Sequence, residues 1–244
     1  MSEAAYEIAV VCDARADQVT ACRLADRVLV EEIPWLDGIL DTQRQWRGVS
    51  RSESHLEWKH VHREADARNV QIFGFFQGKS GEPYAYVARR ALLLLERAKP
   101  RPAAVVLICD RDNQARRRKG LEQARAAEPW KFPVVIGVAS PEREAWVLAG
   151  FDPKTPDEEK HLKDIIGKLS FHPVLEAHRL SVGERDSKLV LKELTSGDRE
   201  REQECLDAPL PVLHERGERT GLRDYLQEVR QRLVPLLSGR TLET

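Results

Sequence analysis

An uninterrupted apolar run, AAVVLIC at residues 103–109, ends in two carboxylates one residue apart, Asp110 and Asp112. The run carries no charge and includes the β-branched Val105, Val106 and Ile108. It is too short for a helix and reads as a strand buried on both faces of a parallel sheet. Such a strand commits the chain to an α/β architecture, and in open α/β sheets ligands gather at the carboxyl ends of the strands. Asp110 and Asp112 fall at that end. At spacing i, i+2 both carboxylates can turn toward one cation, and oxygen-only ligands suit Mg²⁺ or Mn²⁺ rather than zinc. The same ending also fits a solvated strand-to-helix turn in which Asp112 caps the helix that follows, so the choice rests on the companions of this pair.

Residues 8–12, IAVVC, form a second short apolar run, followed by Asp13 and Asp17 and by a helical pattern of Val19, Cys22, Leu24, Ala25, Val28 and Leu29. Residues 133–139, PVVIGVA, predict another strand, which delivers Glu142 and Glu144 at the start of a short helix. Ser140 is placed to cap that helix, Pro141 fits its first turn and Gly150 can end it. Residues 70–76, VQIFGFF, predict a fourth strand, and helices are expected over about residues 84–97 and 113–128. Residues 33–69 hold Trp35, Trp46, Trp58, His55, His60 and His62 without a sustained period, and read as an irregular insertion with one short helix. Beyond residue 151 the chain is helical in pattern and highly charged, with no convincing strand. The expectation is an α/β fold with a central, mostly parallel four-stranded sheet flanked by helices and right-handed crossovers. Residues 1–150 form this core, with the insertion at about 33–69, and residues 151–244 a helical carboxyl-terminal region packed on it.

Three strand ends thus carry acids: Asp13 with Asp17, Asp110 with Asp112, and Glu142 with Glu144. Converging on two divalent ions about 4 Å apart, they would activate a water and stabilise the leaving oxygen in phosphodiester hydrolysis. The helix macrodipole alone accounts for acids at Asp17, Glu142 and Glu144, and accounts less well for Asp110.

Residues 10–17, VVCDARAD, and 107–112, LICDRD, resemble the Toprim pattern, an acid at one strand end and DxD at a later one. Toprim is the metal-binding domain of topoisomerases, primases and the OLD-type nucleases. Residues 138–149, VASPEREAWVLA, further resemble a turn and helix of uncharacterised bacterial Toprim-like proteins, some encoded near mobile-element or defence genes. The resemblance covers approximately residues 6–150 and implies a Toprim-like fold, Mg²⁺ or Mn²⁺ as cofactor, and a nuclease or related phosphotransfer activity on nucleic acid. It places Asp13 where the family has its first-strand Glu, makes Asp110 and Asp112 the DxD ligands, and lets Glu142 or Glu144 complete the ligand set, with Glu144 the better directed. Here Asp13-Ala14 stands in place of the usual Glu-Gly, so the carboxylate reaches one methylene less far and the turn is less free to adopt φ > 0.

Lys188, in ERDSKL at residues 184–189, is a candidate to balance charge on a transferring phosphate, and is also readable as a surface lysine. Arg116, Arg117, Arg118 and Lys119 are placed to track a nucleic-acid backbone or to form a solvated helix face. The three histidines of the insertion lack the cysteine or acid spacing of a zinc site, and the remaining histidines form no triad with Ser or Cys. GxxxxGK[ST] and GxGxxG are absent, which removes the usual grounds for an ATPase or dehydrogenase. A net charge of −1, with 32% charged residues, confines any nucleic-acid surface to a local patch.

The four scattered cysteines form no CxxC pair and read as reduced core thiols of a cytoplasmic protein. No leader pattern opens the sequence and no run reaches the ~20 apolar residues of a membrane span, so no membrane partner is expected. Two functions remain: a metal-dependent nuclease, active in bacterial defence, and a catalytically inactive Toprim-like scaffold subunit of a larger defence or DNA-processing complex with protein partners. The Asp13-Ala14 departure and the neutral overall charge motivate the second.

Overall fold

The computed structural model describes residues 6–239 apart from 73, 74, 77, 79, 113 and 182; of Glu184 only the backbone is described. In chain order the regular elements are β1 (Tyr6–Cys12), α1 (Arg15–Glu32), α2 (Leu40–Gln43), β2 (Arg44–Arg47), β3 (Leu56–Glu57), α3 (Val61–Ala67), α4 (Ala85–Glu96), β4 (Ala104–Asp110), α5 (Arg117–Ala126) and β5 (Val134–Ala139). There follow α6 (Glu144–Leu148), α7 (Pro156–Leu169), α8 (Ser187–Leu194), α9 (Arg199–Cys205), α10 (Leu210–Arg216) and α11 (Leu222–Leu237). The fold is α/β: a parallel sheet flanked by helices, then a helical carboxyl-terminal region. Contacts divide the chain into two compact units, one drawn from Met1–Cys109, Gln114–Gly137 and Gln227–Thr244, the other from Asp110–Asn113 and Val138–Leu226.

The sheet runs in the order β2-β1-β4-β5, with β3 also paired to β1. β1 is parallel to β2, β3 and β4, its Val10 lying opposite Val106. Ile8 to Cys12 are fully buried, as are all residues of β5 and of β4 up to Cys109, which explains why these three strands read as continuous apolar runs.

The insertion departs from expectation: residues 33–69 supply two strands, β2 and β3, rather than irregular chain with one short helix. Both lie along β1, β2 against Tyr6 to Ala9 and β3 against Val11 and Cys12. As the outermost strand, β2 tolerates polar residues, and its Arg47, only 1% exposed, is held by Glu7 at 2.7 Å and by the carbonyls of Val49 and Pro100. The strand expected at 70–76 is not formed by the described residues of that stretch, and Phe73 and Gly74 lie outside them. The β1 edge away from β4 is filled by β2 and β3. In the same unit α4 and α5 pack closely because position 120 is glycine: a Cβ there would sit 1.8 Å from the Pro83 carbonyl oxygen.

The second unit contains α6 to α10. Trp146 on α6 is 1% exposed, stacks on Tyr225 with ring centroids 5.1 Å apart, and donates from Nε1 to the Thr220 carbonyl at 2.8 Å. Contacts of α6 with α8 and α9 draw this short helix into the helical unit. Among the described residues after 151 no strand forms, in keeping with the charged helical pattern. No described helix is long and apolar enough to cross a membrane, and the four cysteines are buried and free of disulfides.

Within this unit Arg201 bonds Glu158 through Nε at 2.7 Å and the Asp152 carbonyl at 2.5 Å. The bond from Arg201, joined by one from the Lys154 N–H, holds the Glu158 carboxyl below its ordinary value against the opposing pull of burial. A depressed folded-state pKa contributes stability that is present above the unfolded value, near 4.5, and lost as pH falls through the folded one. Glu158→Gln should therefore lower Tm at neutral pH and flatten its decline between about pH 5 and pH 3. An unchanged decline in thermal scans across that range would contradict this.

Candidate functional site

The second unit gathers the acids at the ends of β4 and β5. Directly after β4, the Arg111 N–H bonds the Ala139 carbonyl at 2.6 Å and the Asp112 N–H bonds the Pro141 carbonyl at 3.2 Å. The turn after β4 is thereby tied to the turn that carries Glu142 and leads into Glu144 at the start of α6. Asp110 closes the connection by accepting the Arg143 backbone N–H on Oδ1 at 2.8 Å. Asp112 adopts φ 44°, a left-handed conformation that Asp accepts more readily than most residues and that is enriched at functional turns.

The side chains beyond these turns interlock. Glu142 Oε2 accepts from Ser187 Oγ at 3.0 Å and lies 3.4 Å from Lys188 Nζ. Glu144, nine-tenths buried, pairs through Oε1 with Arg143 at 2.8 Å, whereas its buried Oε2 has no hydrogen-bond partner among the described residues. Arg143 also lies 3.9 Å from Glu202. Burial pulls the Lys188 ammonium down, but Glu142, then Glu144 and Asp110, outweigh it and hold the lysine above its ordinary value. Lys188 thus senses three of the expected acids at once. Its backbone is fixed by Asp186, which caps α8 by accepting the N–H groups of Lys188 at 2.8 Å and Leu189 at 3.3 Å.

Asp110, Glu142, Glu144 and Lys188 therefore share one electrostatic neighbourhood, with Asp112 in the adjoining turn. Arg143 and Ser187 belong to it too, and sequence reasoning passed over both. Arg143 could have been suspected from its place between two glutamates, while Ser187 gave no signal before its contact with Glu142. Among the described residues no group of three or more His, Cys, Asp or Glu side chains is arranged to hold a metal ion.

In the first unit Asp13 is exposed beyond the end of β1. Asp17 accepts the Ala14 N–H at 2.8 Å, so its carboxylate serves the start of α1. The basic cluster divides by role. Arg117 is buried, with its guanidinium 4.5 Å from the Tyr84 ring centroid, Arg116 meets Glu82 at 3.3 Å, Arg118 meets Glu122 at 3.1 Å, and Lys119 is exposed. His62 contacts Arg90, consistent with a structural role.

Comparison with protein-family models, with curated proteins and with solved structures gave no match. The Toprim resemblance accordingly rests on the residues of this chain alone.

Proposed function

We propose that the chain is a Mg²⁺- or Mn²⁺-dependent nuclease or related phosphotransfer enzyme acting on nucleic acid, in the service of bacterial defence. The observation that carries this reading is the acid cluster after β4 and β5, with Lys188 Nζ 3.4 Å from Glu142 and under the field of Glu144 and Asp110. The donor set is oxygen-only, which suits a hard divalent cation, and the unpartnered buried Oε2 of Glu144 is an atom that such a cation would satisfy. Asp110, Asp112, Glu142 and Glu144 would hold the ion. The ion would supply polarisation of the phosphoryl oxygen and activation of water.

The chain's own residues have separable tasks in this scheme. Asp110 is oriented by the Arg143 N–H, Glu142 by Ser187, and Glu144 by Arg143. Lys188 would balance charge on the phosphate, and exposed Lys119 with Arg116 and Arg118 would meet the nucleic-acid backbone, Arg117 being committed to Tyr84. Hydrolysis adds water across one P–O bond, releasing a phosphomonoester end and a hydroxyl end. Labelled DNA and RNA incubated with the purified chain and Mn²⁺ or Mg²⁺ should be cleaved, and chelation should stop it. Intact substrates under all these conditions would reject the reading.

One observation favours a second reading, an inactive Toprim-like scaffold subunit: Glu142 and Glu144 are each already paired with a cation of the chain. That protein would bind no divalent ion and would copurify with a stable partner.

A further inference from the structure

The segment between α1 and β2 lies at the amino edge of the sheet, since Arg44, the first residue of β2, stands opposite Tyr6, the first of β1. That is the edge away from the strand ends at which open α/β sheets hold small ligands. The segment is made of two tight turns, a 3₁₀ turn over Pro34–Leu36 and then α2. They are closed by backbone bonds in which the N–H of Leu36 donates to Ile33 at 2.9 Å, that of Ile39 to Leu36 at 3.0 Å and that of Thr42 to Ile39 at 2.9 Å. Ile33, Leu36 and Leu40 are buried and fix its inner side. Its outer side carries Trp35, 55% exposed, and Ile39, 42% exposed. A tryptophan left this open contributes little to the fold, whereas tryptophan on a preordered element is enriched among the anchors of protein interfaces.

The rim around these two side chains is acidic. From Glu31 to Gln43 the chain carries four carboxylates, Glu31, Glu32, Asp37 and Asp41, and no lysine or arginine. Arg230 is shared between Glu31 at 3.0 Å and Glu32 at 2.8 Å, and Arg44 between Asp41 at 2.9 Å and Asp26 at 2.6 Å. Each of these cations therefore serves two acids, and the Asp41 side chain stays 92% exposed. Such a rim repels phosphate, which disfavours nucleic acid and anionic lipid, and a projecting ring fits a partner's groove better than it holds a small molecule. We propose that Trp35 and Ile39 form a docking knob for a protein partner that offers an apolar groove flanked by lysine or arginine. The proposal is independent of the metal-dependent reading, because the segment contains none of the acids after β4 and β5. Docking buries the two apolar side chains, and the acidic rim steers the approach and sets the orientation of the partner.

The probe is a short amphipathic helical peptide of leucine and lysine, titrated into the full chain by calorimetry beside the same peptide with glutamate at every lysine. Wild type should bind the lysine peptide and not its glutamate counterpart. Trp35→Ala should weaken binding about tenfold or more, the loss expected of an interface anchor, and Ile39→Ala should weaken it less. Asp37→Lys should weaken it about threefold, an effect that shrinks as salt is added. All three positions are exposed, and urea midpoints at the wild-type value establish that each variant is folded. Absence of binding by the wild type, undiminished binding by Trp35→Ala, or equal affinity for the glutamate peptide overturns the proposal. Sedimentation of the chain alone tests a second copy as the occupant: self-association that Trp35→Ala abolishes would assign the knob to the chain itself and overturn the proposal of a separate partner.

Discussion

Substituting alanine for Asp110 is expected to reduce divalent-ion-dependent cleavage by about a thousandfold or more, equivalent to about 4 kcal/mol of transition-state stabilisation. Asp110 ends β4 and is the one acid of the cluster that grows directly out of a buried strand, so its position is set by the sheet rather than by a loop. It also accepts the Arg143 N–H at 2.8 Å, which means that alanine removes a structural bond together with the charge. Asp110→Asn separates the two, since its amide oxygen can still accept that N–H while the formal charge is gone. If the carboxylate works through its charge, both variants lose cleavage, and Asp110→Asn keeps the wild-type urea midpoint. Cleavage by Asp110→Asn at the wild-type rate would remove Asp110 from the chemistry.

The largest stability effect is expected at Trp146. Truncation to alanine opens a cavity beside Tyr225 and abandons the bond to the Thr220 carbonyl, at a cost of about 3–5 kcal/mol. Leu189→Ala, at a side chain 57% exposed, should change stability by no more than about 0.5 kcal/mol. Urea denaturation of both variants measures the contrast. A Trp146→Ala midpoint close to wild type would show that α6 does not depend on this ring. Because α6 carries Glu144, its loosening should also weaken any property of the acid cluster.

How much of this could be read beforehand depends on where burial comes from. β1, β4 and β5 were legible because strands covered on both faces admit no polar residue, and their ends announce themselves in Asp13, Asp110 and the Ser140-Pro141 turn. β2 and β3 were not, since Arg44, Gln45, Trp46 and Arg47 look like surface chain. Arg47 is buried only because Glu7, from a different strand, neutralises it. The stretch 70–76 misled in the opposite sense: its apolar composition suits a strand, but its described residues join none of the sheet's strands.

The acids of the candidate site were visible at the strand ends, and so was the competing role of Asp17 as a helix-start residue. Arg143 and Ser187 gain meaning only through tertiary contacts spanning 33 and 45 residues, to Asp110 and Glu142, and no local pattern encodes such contacts. Lys188 stood out beforehand as one charged residue among many. Its nearness to Glu142 distinguishes it from the rest.

The measurement that bears most directly on the central claim is titration of the chain with Mn²⁺ and with Mg²⁺ by calorimetry at neutral pH, beside an Asp110→Ala/Asp112→Ala double variant. Binding by the wild type that disappears in the double variant is the predicted result. A wild type that binds neither ion, or a double variant that binds as the wild type does, would contradict the claim that these acids form a metal centre.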